Sequence, residues 1–551
     1  MAQHSARRQT SAIRIALATL AILLVNLVFS SGDFVEAPVT AMPSSLAVEL
    51  IVLVGALGAI VWARRRAPAW FLWGLAVVLL AVAALRILDT TIPWFFSRTF
   101  NLTVDIRFVP VILGFLTSSV PVRDLILLGG GTVLAVAVLV AVLRASLGAI
   151  AHALAAREWR PFALAVAAMA IGWLVVPKAP SAEARRPAVS ADAAEVVGRQ
   201  AELLLNAQGL RRDYLARIAA AEAARSPVRD LAGLGRRNVL LIFIESYGAV
   251  TYTDPAFAAQ IDPVRARVEA GLRSAGFGVV TGTLRSPITG GGSWLAHTTM
   301  MSGIRIDDQP SFDVLMSSDF RAIAHDFAAA GYRTVAVMPR IDQPWPEGRL
   351  FGFGEVVLGP EMGYSGPRYS WESLPDQYAL DWVGRHVLAG SDRPVFAKIV
   401  LASSHTPFDR VPSLVDDWSA LGDGTIYGRL PGRVMPVRGG LIFEHNDGYL
   451  ACLAYSLEAV GRFVAERISD DTLVIVLGDH QPPLTAARVT RDRSVPIHII
   501  SRAPDELAPF RARGYVDGMR PASTVAESGM ESFLERFVAD FSRGRTARAM
   551  P

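Results

Sequence analysis

Hydrophobic positions fall into two regimes along the 551 residues. Up to about residue 180 they form long, nearly unbroken runs; from Asn238 onward they form short blocks separated by amphipathic stretches. A helix needs about 20 mostly apolar residues to cross roughly 30 Å of hydrocarbon. Five segments approach that length: Ile15–Ser30, Leu46–Ala63, Trp70–Leu88, Leu125–Leu143 and Phe162–Val176. They predict a multi-pass α-helical membrane domain over residues 1–178. Between Asp89 and Asp124, the cluster Trp94-Phe95-Phe96 and the run Phe108–Leu116 are too short to cross and read as an interfacial or re-entrant element. Pro177, Pro180 and Pro187 stop the last span. Ala191 to Ala224, rich in Ala, Leu, Glu and Arg, carries a helical pattern, so residues 179–236 read as a helical linker.

The second regime predicts an α/β domain over residues 237–545. Val239–Ile244 is apolar throughout, as expected of a strand buried on both faces of a parallel sheet. Similar runs occur at Thr334–Met338, Val395–Leu401, Thr472–Leu477 and Val495–Ile500. Helical stretches alternate with them at Phe320–Ala330, Tyr378–Leu388, Tyr449–Ile468 and Val525–Phe541. That alternation implies a mainly parallel central sheet covered by helices.

Apolar residues make up 52% of the chain and charged residues 19%, below the roughly 25% charged content usual for soluble domains. Such content excludes disorder for most of the chain. Cys452 is the single cysteine, so no intrachain disulfide can form. The net charge of +4 reflects arginines flanking the spans and gives no reason to expect nucleic acid. Arg7, Arg8 and Arg14 precede the first span, Arg64-Arg65-Arg66 separate the second and third, and Arg144, Arg157 and Arg160 lie between the fourth and fifth. The segment Ser31–Ser45 holds Asp33 and Glu36 and no Lys or Arg. The positive-inside rule then puts the N-terminus in the cytoplasm and the α/β domain on the outer side of the inner membrane.

In open α/β sheets, sites form beyond the carboxyl ends of the strands. Three such ends carry candidate chemistry: Glu245-Ser246, Ser403-Ser404-His405 and Gly478-Asp479-His480. Singly, a carboxylate there is a helix cap or surface charge and a histidine is structural. Together they supply oxygen and nitrogen ligands for a divalent ion such as Mn²⁺, Mg²⁺ or Zn²⁺. Gly290-Gly291-Gly292-Ser293 opens a helical stretch, placing Ser293 at a helix N-terminus, where amides and the helix dipole favour an anion. There Ser293 is either an N-cap or, beside a metal, a nucleophile for phosphorus. His297 and His445 read as structural or peripheral.

The run Asn238-Val-Leu-Leu-Ile-Phe-Ile-Glu245-Ser246, the turn through Ser293, and Leu477-Gly478-Asp479-His480 resemble the alkaline phosphatase/sulfatase superfamily. Within it they are most similar to the lipoteichoic acid synthase-like branch of membrane-anchored phosphoglycerol transferases. The resemblance spans roughly residues 237–505. It implies that Glu245, Ser293, Asp479 and His480 bind one catalytic divalent ion, Mn²⁺ first and Mg²⁺ or Zn²⁺ as alternatives. It further implies that Ser293 is the nucleophile and that His405, Arg349 and Trp345 bind substrate. Ser293-Trp-Leu-Ala-His297 lacks the Pro/Ala and Arg of the motif that sulfatases mature to formylglycine, which argues against sulfate ester hydrolysis by that route. A lone Cys452 departs from the disulfide-bearing phosphoethanolamine transferases. The implied activity moves a phosphoglycerol or similar headgroup from a phospholipid donor, phosphatidylglycerol first, to an envelope glycan or polymer. A phosphodiesterase or sulfatase-like hydrolase using the same site, and a non-catalytic envelope scaffold on the same fold, are the alternatives.

Overall fold

The computed structural model describes residues 2–31, 46–64, 66–96, 100–110, 113, 117, 122–156, 189–430, 432–435, 445–469, 471–485, 487, 492–522 and 528–542. The chain divides into two compact units, one of residues 1–94 with 99–208 and one of residues 95–98 with 209–551. The stretch expected as one linker therefore divides between them, with helices at Asp192–Leu205 and Ala207–Ala223.

The first unit holds helices Ala2–Phe29, Val48–Arg64, Ala69–Phe96 and Val122–Leu154. Val25, Leu57, Ala76 and Leu147 form its core. Ala69–Ile92 and Val122–Leu154 are long and apolar enough to cross a membrane, and Ala16–Phe29 is a shorter apolar segment. Val48–Arg64, with 17 residues, is a turn short of that length. The expected fifth span, Phe162–Val176, lies outside the described residues. Val122–Leu154 leaves Ile126, Leu127, Val133 and Leu134 exposed, a face better solvated by lipid than by water.

The second unit is built on a nine-stranded sheet. Its strands are β1 (Asn238–Ile244), β2 (Gly278–Arg285), β3 (Arg333–Met338), β4 (Glu355–Leu358), β5 (Val395–Leu401), β6 (Thr472–Gly478), β7 (Ser494–Ser501), β8 (Val516–Asp517) and β9 (Ser528–Gly529). The order is β8-β2-β7-β6-β1-β5-β3-β4, with β9 beside β2. From β6 to β4 every neighbour is parallel; β7 and β2 extend the sheet in antiparallel pairing. The strands alternate as a two-sided sheet requires. Leu240, Ile242 and Ile244 face one core, and Val239, Leu241 and Phe243 face the other. Helices α1 (Pro255–Ser274), α4 (Asp376–Val383) and α5 (Asn446–Arg467) bury the first face. Helices α2 (Ser293–Ser302), α3 (Ile323–Ala329), α6 (Pro504–Arg511) and α7 (Phe533–Phe541) bury the second.

All five expected strands are present. β2 was not expected: its sequence GVVTGTLR mixes glycine and threonine into the run. Tyr515 fills the space at Gly282, where a Cβ would meet the Tyr515 ring at 2.7 Å. The helix expected at Val525–Phe541 begins only at Phe533, after β9 and the turn Met530–Ser532. Tyr378–Leu388 is α4 followed by a π-helical turn, Gly384–Leu388.

Candidate metal and nucleophile site

The register of two neighbouring strands builds the centre of the site. Gly478 of β6 pairs with Ile244 of β1, so Glu245 and Asp479 leave the sheet side by side. Gly478 cannot carry a side chain, because a Cβ there would lie 1.8 Å from the Tyr247 carbonyl oxygen. Ser246 follows at a left-handed φ of 60°. Its backbone N–H donates to Asp479 Oδ1 at 2.7 Å and its hydroxyl to Glu245 Oε1 at 2.9 Å. The His480 N–H also donates to Asp479 Oδ1, at 2.8 Å. One Asp479 oxygen is thereby saturated, while Oδ2 is buried without a hydrogen-bond partner.

Ser293 reaches the same point from the opposite core. Gly290, Gly291 and Gly292 have φ of 72°, 148° and 82°, a path that side chains rarely follow. It delivers Ser293 as the first residue of α2. Ser293 Oγ donates to Glu245 Oε2 at 3.0 Å and lies 3.1 Å from His480 Nε2. His480 Nδ1 lies 2.8 Å from the Gln481 carbonyl oxygen. A carbonyl only accepts, so Nδ1 keeps a proton and Nε2 faces the cluster, where it offers a lone pair once its own proton is displaced.

Glu245, Asp479 and His480 are buried, with ligand atoms within 4.8 Å of one another. Two carboxylates, an imidazole lone pair, a hydroxyl and an orphaned carboxylate oxygen fit a hard or borderline divalent ion. Burial pushes the Glu245 carboxyl up, but the charge of His480 and its hydrogen bond to Glu245 outweigh it and hold it below the usual range. Burial and the Glu245 charge raise Asp479. Burial opposes the charged form of His480, yet Asp479 and Glu245 raise its pKa.

His405 follows β5 on the next strand. Its Nδ1 lies 2.7 Å from the Thr406 carbonyl oxygen, leaving Nε2 with the lone pair. Burial lowers its pKa, so the ring is neutral at pH 7. Trp371 packs against it with tilted rings, centroids 3.6 Å apart, and the Arg340 guanidinium lies 5.0 Å from the Trp371 ring. The other two expected substrate residues lie elsewhere. Trp345 stacks on Phe351, and Lys398 Nζ lies 5.1 Å from the Trp345 ring. Arg349 is exposed on the one-turn helix Glu347–Leu350, with no contact to the carboxylate–histidine cluster among the described residues.

Sequence reasoning overlooked three further residues. Arg340 lies two residues past β3, at the edge where chemistry was sought, but the Trp-to-Arg spacing drew attention to Arg349 instead. Trp371 gave no sequence signal. Lys398, buried in β5, has its pKa lowered to about 7 by burial. His297, read as peripheral, sits 3.8 Å from Asp479 Oδ2 through its Nε2. Burial, then Lys398, lower its pKa well below the usual value.

No protein-family model matches the chain, and no curated protein matches it. Among solved structures, the chain is similar to a protein in the alkaline phosphatase superfamily from Vibrio parahaemolyticus, at 15% identity over 52% of this chain and 67% of that one, with a TM-score of 0.32. It is similar to the lipoteichoic acid synthase LtaP from Listeria monocytogenes at 12% identity over 50% and 68%, TM-score 0.33. It is also similar to the Streptococcus pyogenes phosphoglycerol transferase GacH in complex with sn-glycerol-1-phosphate, at 12% identity over 61% and 91%, TM-score 0.34.

Proposed function

We propose that the chain is a multi-pass, membrane-anchored phosphotransferase of the alkaline phosphatase/sulfatase type. It moves phosphoglycerol from phosphatidylglycerol to an envelope glycan or polymer on the outer face of the inner membrane. The observation that carries this reading is Ser293: a half-buried hydroxyl at a helix N-terminus, 3.0 Å from Glu245 Oε2 and 3.1 Å from His480 Nε2.

Glu245, Ser293, Asp479 and His480 would hold one divalent ion, Mn²⁺ in the first instance. Such an ion, when bound, neutralises charge on phosphoryl oxygens and favours the serine alkoxide. The amides at the start of α2 face the same anion. Ser293 gives its proton to Glu245 as Oγ bonds to phosphorus and the bond from phosphorus to the diacylglycerol oxygen breaks. The leaving oxygen takes a proton from water. In the second half, the acceptor hydroxyl gives its proton to the lone pair on His405 Nε2, which passes it to water, the acceptor oxygen bonds to phosphorus, and the phosphorus–Oγ bond breaks as Glu245 gives back the serine proton. Arg340, beside Trp371 and His405, would meet the remaining anionic headgroup.

Incubating the purified full-length protein with phosphatidylglycerol vesicles and digesting it tests this reading. A peptide containing Ser293 should gain the mass of phosphoglycerol while diacylglycerol appears. An adduct on Thr298 or Thr299, or diacylglycerol release without any adduct, would refute the assignment.

A further inference from the structure

Ser293 and His297 are four residues apart on α2, so they project from one helix face. His297 is 5% exposed, and its ring packs on Phe243 at a centroid distance of 4.2 Å. Its Nε2 lies 3.8 Å from Asp479 Oδ2. Both atoms are buried, and neither has a hydrogen-bond partner. Two orphaned polar atoms facing each other are costly to leave unpaired. The other Asp479 oxygen is already fixed by the Ser246 and His480 amides, so Oδ2 is the atom left to meet an ion. His297 approaches the ligand set at Asp479, not as a member of the Glu245, Asp479 and His480 group.

We infer that His297 is a positioning residue of the metal centre: when the ion binds, its Nε2–H closes the 3.8 Å to Asp479 Oδ2 and orients that carboxylate towards the ion. The inference rests on the metal-centre reading above. Side chains that orient a ligand without touching the metal typically change its affinity by about 10–100-fold. His480 Nε2 lies 3.7 Å from the same oxygen, but as a ligand it turns that nitrogen to the ion, so His297 is the side chain left to donate to Oδ2. A purely packing role would leave affinity untouched, because Phe243 would hold any ring of that size.

The test is Mn²⁺ binding to metal-stripped, full-length protein in detergent, followed by the electron paramagnetic resonance signal of free Mn²⁺. His297→Ala should weaken binding about 10–100-fold. His297→Gln, whose carboxamide N–H can also donate, should recover most of that loss. Electron spin-echo modulation with ¹⁵N-histidine should show one histidine nitrogen on Mn²⁺ in both wild type and His297→Ala. Unchanged affinity in His297→Ala, or no recovery in His297→Gln, would overturn the inference. Two histidine couplings in the wild type with one lost in His297→Ala would overturn it too, by making His297 a direct ligand. Wild-type protein that binds no Mn²⁺, like Asp479→Ala, would be a different failure, that of the metal centre itself.

Discussion

Trp371 lies across the imidazole of His405, with ring centroids 3.6 Å apart and planes tilted by 37°. The backbone that puts it there is unfavourable: Trp371 and Glu372 have φ of 51° and 55°, at a cost of order 1–3 kcal/mol each. Strain of this kind persists only where the surroundings over-determine it. Trp371→Ala should lose the ring contact, worth roughly 1 kcal/mol, and lower kcat/KM for phosphatidylglycerol about fivefold while the Mn²⁺ Kd stays constant. Vesicle-based kinetics beside metal titrations check this; a change in Kd equal to that in kcat/KM would mean Trp371 merely supports the fold.

Ser293→Ala should abolish phosphoglycerol transfer, by about 10³-fold or more, with the circular dichroism spectrum unchanged. Ser293→Thr should keep partial activity, since it retains the hydroxyl, although the β-branch limits its rotamers. Single-turnover kinetics separate the two. Full activity in Ser293→Ala would remove the covalent step.

Arg340 and Arg349 make opposite predictions. Among the described residues, Arg340 Nε is buried without a hydrogen-bond partner and Nη1 donates to Asp342, at 3.1 Å. Arg349 is exposed. A hydrogen bond to a charged group contributes about 1.5–3 kcal/mol, so Arg340→Ala should raise KM for the lipid about 10- to 100-fold. Arg349→Ala should change it less than about twofold. The reverse outcome would restore to Arg349 the role its sequence context implies.

His498 sits in a buried network, 3.1 Å from Tyr247 Oη and 2.7 Å from Thr281 Oγ1. Burial lowers its pKa from 6.5 to about 3. The folded state thus binds fewer protons here than the unfolded state, and stability is lost as pH falls from 6.5 towards 3. The loss approaches about 1.4 kcal/mol per pH unit. Urea unfolding of metal-free protein between pH 7 and about pH 4, a range that brackets most of this titration, should show His498→Gln less stable near neutrality but with a flatter pH dependence. Parallel slopes for the two proteins would contradict this.

Asp479 and His480 both hold protons more tightly than usual when no ion is present. A metal must displace those protons, so Mn²⁺ should bind more tightly as pH rises. Isothermal titration at pH 6.5, 7.5 and 8.5, about the range over which such protons leave, should show Kd falling steadily and protons released on binding. Removing the ion with EDTA should lower Tm, because the bound ion stabilises only the folded state.

Glu245, Asp479 and His480 were legible in the sequence because each follows an apolar run at a strand's carboxyl end, where side chains leave the sheet. Ser293 was legible from the glycine turn ahead of a helical stretch. Trp371 was not, because it comes from a short turn, Ser370–Glu372, without periodicity; only tertiary packing brings it to His405. The role of His297 needed a distance that helix spacing alone does not supply. The parallel strands stood out as unbroken apolar runs, whereas Gly282 and its flanking threonines disguised β2. The long apolar helices of the first unit were legible, and two of them have the length and apolarity to span a membrane.

The pairing of Gly478 with Ile244 has a consequence for timing. Ser246 and Asp479, joined by one hydrogen bond, are 233 residues apart in the chain. Made from its N-terminus, the chain presents the helix of Ser293 while half its acidic partners are still unsynthesised. Every shorter piece carries the hydroxyl without the Asp479 and His480 that complete its surroundings. An emerging polypeptide therefore lacks the assembled cluster, which is completed in one step when β6 pairs beside β1.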